Sequence, residues 1–284
     1  MKIIDNFLVT INPLDVILWT LRRNEKDVVN LYDSLSPVMQ IATGGSMLNF
    51  GYWTDGISDP VKAQENLCYY CGKISELENA KTAIDAGSGF SAPAIFWKNS
   101  YENLHLFCLN INYKQMAFCG SQTNLDFINS TCTKFPFSDK SVDRIVALES
   151  SQHFKPLNNF FSESKRVLKP SGILTIALPV MVSGPSLRNL GILKFTWYSE
   201  HYPIEFVKNL LTLNGLSIEK EEFIGSQVYV PLADYYLKNR ILLKNSIKQK
   251  YPDFVEKVLY KSILKMKKAS KDKIIDYVIL KCRI

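Results

Sequence analysis

The chain has 284 residues, 46% of them apolar, and carries a formal net charge of +7. That length and composition support one full hydrophobic core and argue against a disordered chain, and no internal repeat or low-complexity tract divides it. The charge is uneven: residues 238–284 hold 14 Lys or Arg against 4 Asp or Glu, so basicity belongs to the C-terminal end, where solvated lysine-rich helix faces account for it without a nucleic-acid partner.

The opening stretch to Arg23 is apolar but interrupted by Asp5, Asn6, Asn12, Pro13 and Asp15, so neither a membrane span nor a secretory signal is expected, and a cytoplasmic protein is. Residues 1–70 read as a helical cap. Cys68 and Cys71 have CxxC spacing inside a helix-like run and lack a second ligand pair, so a buried helical face is expected there and no metal. Residues 81–86 form a short apolar strand that runs into Gly87 and Gly89, and APAIFWKNSY reads as the following helix. A second strand covers 103–111, with a helix-compatible stretch to Cys119. A strand over 142–148 precedes a helix over 158–168, which KPSG ends as a turn.

A strand over 173–180 and a helix over 203–213 follow. Residues 216–223 and 275–284 alternate as edge strands around a basic helical insertion at about 225–270. Strands alternating with helices in this order predict a mostly parallel sheet covered on both faces, with antiparallel strands at its C-terminal edge.

The segment AIDAGSGF, residues 83–90, carries the clearest chemistry. A strand ending in an acid and then GxG lets backbone pass close beneath a ligand, and the next helix offers its N-terminal N–H groups. Alone this is also what an ordinary tight turn or a dinucleotide-binding loop looks like.

The later segments narrow it. LNFGYW (48–53), AIDAGSGF, CLNIN (108–112), TKFPFSDKSVDRIVALESSQHF (133–154) and ESKRVLKPSGIL (163–174) occur in an order that resembles the class I S-adenosylmethionine-dependent methyltransferases. The likeness is to the subgroup of sugar and polyketide O-methyltransferases and tocopherol and sterol methyltransferases. It implies a Rossmann-like seven-stranded core over residues 71–284 and S-adenosyl-L-methionine as cofactor.

The resemblance further implies that Tyr52, Asp85, Ala86, Gly87, Gly89, Asn110, Ile111, Gln115, Thr131, Cys132, Leu148 and Glu149 bind that cofactor. Asp85 would hold its ammonium, Asn110 its ribose and Thr131 its adenine. The chain departs from the family pattern at three places: Ser91 replaces a glycine, and Asn110 and Thr131 each replace an acid. His153, four residues after Glu149, is the candidate general base, and His201 and Tyr202 are candidates for the acceptor pocket. Methyl transfer to a hydroxyl of a small molecule is the expected function, with C- or N-methylation of a lipid or aromatic acceptor, or a catalytically silent binding module, as alternatives.

Overall fold

The computed structural model describes residues 11–119, 125–182, 187–197 and 199–284. The strands are β1 (Thr82–Ala86), β2 (His105–Asn110), β3 (Asp126–Asn129), β4 (Val142–Leu148), β5 (Leu168–Met181), β6 (Ser217–Phe223) and β7 (Ile275–Arg283), in the sheet order β3-β2-β1-β4-β5-β7-β6. Neighbours from β3 to β5 are parallel, while β7 runs antiparallel to both β5 and β6. The sheet is thus the expected one, and its strand order reverses at β1, where open α/β sheets place their ligands.

Side chains alternate across the sheet as its pleat requires. On one face Ile84, Leu109, Ile145, Ile176 and Leu280 join Phe160 and Phe161 of α6 (Leu157–Val167) and Val207 and Leu211 of α8 (Ile204–Leu213). On the other, Ala83, Cys108, Val146 and Ile279 meet Leu67, Cys68 and Cys71 of α3 (Pro60–Ile74) and Trp97 of α4 (Ala92–Ser100). Cys68 and Cys71 are fully buried thiols on α3, where burial pushes both thiols up, so they pack as small apolar groups. Helix α3 also runs across residue 70, joining the segment before it to the core.

Two expectations change. KPSG does not end in a turn outside the sheet: β5 begins at Leu168 and runs through it, with the register against β4 jumping from Val142↔Leu168 to Arg144↔Ile173, so the extra residues bulge outward. Strand β3 was not anticipated, because an exposed edge strand with only Phe127 and Ile128 as apolar residues has no alternating signature.

Four helices stand over the carboxyl ends of the central strands. They are α1 (Pro13–Arg22), α2 (Glu25–Thr43), α9 (Tyr229–Lys248) and α10 (Asp253–Lys271), the last pair filling the connection from β6 to β7 and breaking at Pro252. Asn24 and Asp27 form a reciprocal capping box that fixes the start of α2, and Arg22 clamps Asp27 at 2.7 Å. Ile11, Val38, Ile247, Tyr251 and Val255 then bind the two helix pairs to one another. Among the described residues no helix is long and apolar enough to cross a membrane.

Candidate active site

Between these four helices and the strand ends lies a cavity of about 700 Å³. Its floor comes from the ends of β1, β2 and β4, and its roof and walls come from α1, α2, α9 and α10. Asp85, Gly87, Gly89, Asn110, Ile111, Gln115, Thr131, Cys132, Leu148, Glu149 and His153 all line it. Residues spread over 69 positions of sequence therefore meet at one place, because parallel strands deliver their carboxyl ends to one edge of the sheet.

Asp85 is the site's most unusual group. Its side chain is 2% exposed, its Oδ2 has no hydrogen-bond partner, and burial alone pushes its carboxyl up to about 7. A buried carboxylate without a donor is costly unless a cation or donor arrives to meet it. Past it, Gly87 and Gly89 adopt φ of +77° and +54°, and the N–H groups of Gly87 and Ser88 both donate to the Leu109 carbonyl, each at 2.9 Å.

A Cβ on Gly87 would lie 2.5 Å from Cβ of Ser150, so that glycine answers first to the protein's own packing, whereas a Cβ on Gly89 would have only Leu48 nearby, at 3.9 Å. Ser91, the residue in place of a glycine, sits at φ +55°, in the conformation a glycine takes without strain, and its hydroxyl donates to Ser88 Oγ at 3.1 Å.

At the end of β2 the Asn110 amide is already engaged. Its Nδ2 donates to Gly89 O and to Gln115 Oε1, each at 3.0 Å, and its Oδ1 accepts from the N–H of Asn112 at 3.0 Å. A carboxylate at this position could not donate to Gly89 O, which gives the asparagine a structural reason. Thr131 presents its hydroxyl to Glu25 Oε1 and meets Thr133 Oγ1 at 2.9 Å. Glu25 is the first residue of α2 and lines the cavity itself. A carboxylate is therefore present beside position 131, carried by α2.

Glu149 also has positive φ, +50°, which turns its carboxyl so that Oε1 accepts from the N–H of Phe50 at 2.9 Å. Burial pushes this carboxyl up to about 8, against the lowering effect of the Phe50 N–H. His153 stands on a short turn after β4, with its Nε2 at 2.8 Å from the hydroxyl of Tyr32 on α2 and the two rings edge to face. Burial first, and then the charge of Glu149, push the Tyr32 phenol upward. His153, Tyr32 and Glu149 thus form one electrostatically linked group on the cavity wall.

Some expected residues lie elsewhere. Ala86 is fully buried under the site, its carbonyl accepting from the Ser150 hydroxyl. Tyr52 does not line the cavity: its N–H donates to Ala63 O at 2.8 Å and its ring packs 5.2 Å from Tyr70. The FGYW turn instead sends Phe50 inward. Trp53 is a core anchor, donating to Phe50 O at 3.1 Å. Neither His201, whose imidazole burial depresses to about 4, nor Tyr202, which donates to Phe154 O at 3.3 Å, reaches the cavity. Glu25 and Tyr32 carry no local signal in the sequence beyond the capping box that starts α2, and nothing within LNFGYW distinguishes Phe50 from Tyr52 as the residue that faces the cavity.

Comparison with known proteins adds three findings. The family model described as a methyltransferase domain matches residues 84–176. The erythromycin 3''-O-methyltransferase of Saccharopolyspora erythraea is 25% identical over 166 residues, 56% of this chain and 54% of that enzyme, so the chain spans about half the length of this curated relative. The crystal structure of the 4+2 cyclase SpnF superposes with a TM-score of 0.76 at 20% identity, covering 92% of this chain and 96% of that one, which is a likeness of fold.

Proposed function

We infer that the core of this chain is a class I methyltransferase domain of the S-adenosylmethionine-dependent kind, and on that premise we propose that the protein methylates a hydroxyl of an apolar small molecule. One fold hosts many reactions, so function follows from the site. The observation that carries it is Asp85. A carboxylate whose Oδ2 is buried without a donor, at the floor of a cavity, is complementary to a primary ammonium such as that of the cofactor's methionine portion.

When bound, S-adenosylmethionine supplies a methyl group already activated by its sulfonium. The chain's own residues then have two tasks. Asp85 and the open backbone at Gly89 hold the methionine end, while Asn110, Gln115 and the Thr131–Glu25 pair serve the nucleoside end from two different elements. His153 takes the proton of the acceptor hydroxyl at Nε2 by way of the Tyr32 hydroxyl, which stands 2.8 Å from that nitrogen and lines the cavity, while the other ring nitrogen, Nδ1, is buried. Walls made of Val28, Leu35, Met39, Leu259, Ile263 and Met266 exclude water and select an apolar acceptor.

Calorimetric titration of the pure protein with S-adenosylmethionine and S-adenosylhomocysteine tests this reading. Saturable binding to one site is expected, and no binding at millimolar ligand would favour the silent module instead. With a hydroxylated apolar acceptor, turnover should fall as pH drops and protonates the base; an unaltered rate would shift the reading to methylation at carbon or at an unprotonated nitrogen.

A further inference from the structure

We propose that the mouth of the cavity docks on an anionic lipid surface. Four large apolar side chains both line the cavity and remain open to solvent, and they mark its rim: Ile17 at 47% exposure, Phe195 at 45%, Phe254 and Val258 at 37% each. They belong to α1, α7 (Leu193–Thr196) and α10, which pack against one another with α7 in the middle.

From that rim apolar surface continues outward. On α1, Leu14, Leu18 and Leu21 share a stripe with Ile17 at positions i, i+3, i+4 and i+7, and all four are exposed, while the buried residue of this helix is Thr20. A helix that turns its apolar stripe to solvent and a polar residue inward needs a partner for the stripe. On α10, Lys257, Lys261 and Lys265 follow Phe254 and Val258 along the same face, with Leu264 beside them.

Charge decides between the occupants of this surface. The acids in the first turn of α10 are neutralised from α9, Glu256 by Arg240 at 2.8 Å and Asp253 by Lys248 at 3.0 Å. Further along, Lys267 and Lys268 pair with Asp234 and Asp272, but among the described residues Lys257, Lys261 and Lys265 make no ion-pair contact, Lys257 acting only at longer range on Asp253, which Lys248 already holds. The surface is therefore apolar and cationic together, the combination that lies in the headgroup region of an anionic bilayer. A second copy of this chain would set lysine against lysine. A bilayer at the rim would also deliver an apolar acceptor straight into the cavity, a consequence that rests on the methyl-transfer reading, whereas the docking itself does not.

The test is flotation of the full chain with phosphatidylcholine vesicles prepared with and without phosphatidylserine. Binding to the anionic vesicles, weakened by high salt, is expected. The double substitution Lys257→Gln, Lys261→Gln should weaken it by about thirtyfold, at about 1 kcal/mol per lysine, and Leu18→Ser should weaken it without changing its salt dependence. Circular dichroism and cofactor titration of these variants should match the parent, since none of the three residues lines the cavity. Equal binding to both vesicle types, no loss in the lysine variant, self-association of the chain in place of vesicle binding, or vesicle binding only after removal of residues 1–10 would each overturn the proposal. Flotation reads no turnover, so a failure of docking and a failure of methyl transfer are seen separately.

Discussion

The floor and the roof of the cavity are built in different ways. The floor uses strand ends, left-handed backbone and buried polar groups: Asp85, Asn110 and Glu149 stand at fixed points of the sheet edge. The roof uses apolar faces of helices, where Met39, Leu259 and Ile263 contribute bulk and little geometry. Precision sits where a polar ligand must be oriented, and shape without direction sits where an apolar one must be enclosed. Changes in the floor should therefore alter what is bound and how tightly, and changes in the roof should alter which acceptor is taken.

The largest effect expected is from Gly87→Val. Its side chain meets Ser150 rather than open space and forces a β-branched residue to φ +77°, so a loss of about 3 kcal/mol or more in denaturant unfolding is expected. A variant that folds normally and merely loses cofactor would contradict this placement. Next comes His153→Ala, which should lower turnover by roughly a hundredfold or more with cofactor affinity unchanged. Tyr32→Phe, which removes only the hydroxyl on Nε2, should give a smaller loss and a shifted pH profile. If both variants keep full turnover, alignment alone drives the reaction.

Asp85→Asn should weaken S-adenosylmethionine binding by roughly ten- to a hundredfold, the scale of a bond to a charged group. The same residue predicts a pH effect on the unliganded fold. The carboxyls of Asp85 and Glu149 are raised from 3.8 and 4.5 to about 7 and about 8, so their contribution to stability is complete below the lower values and is lost as pH rises through the higher ones. The melting temperature of the apoprotein should fall across that window. Added cofactor should raise it most at the alkaline end, and Asp85→Asn should flatten the curve.

Glu25→Gln gives the smallest effect, a severalfold loss of cofactor affinity. It sharpens the contrast, because Glu25 is a roof residue with a floor residue's task. If binding is unaffected, the nucleoside end depends on the sheet edge alone.

How much of this was legible in the sequence follows the same division. Strands β1, β2, β4 and β5 announce themselves as apolar runs because both faces of each are covered, β6 and β7 read only as an alternating edge pair although β7 lies inside the sheet between β5 and β6, and β3, exposed at the sheet edge, has no such run. The floor residues lie within a few positions of strand ends and were readable as a motif. Glu25 and Tyr32 were not, since they meet Thr131 and His153 across 106 and 121 residues of chain and nothing local to α2 names those partners. Tyr52 was misplaced for a related reason: adjacent aromatics in FGYW point in different directions, and the packing of Tyr70 and Ala63 decides which one faces inward.

The N–H groups of Gly87 and Ser88 both point at the Leu109 carbonyl and away from the space above the loop. A glycine loop that binds a pyrophosphate does so by leaving its amide hydrogens free for the anion. Here two of those hydrogens are spent on the neighbouring strand, and the carboxylate of Asp85 faces the same space. The loop has the outline of a dinucleotide cradle but the opposite polarity. Nicotinamide and flavin dinucleotides should be rejected by repulsion and unmet hydrogen bonds, not by lack of room, and discrimination of this kind is already built into the turn before any acceptor enters.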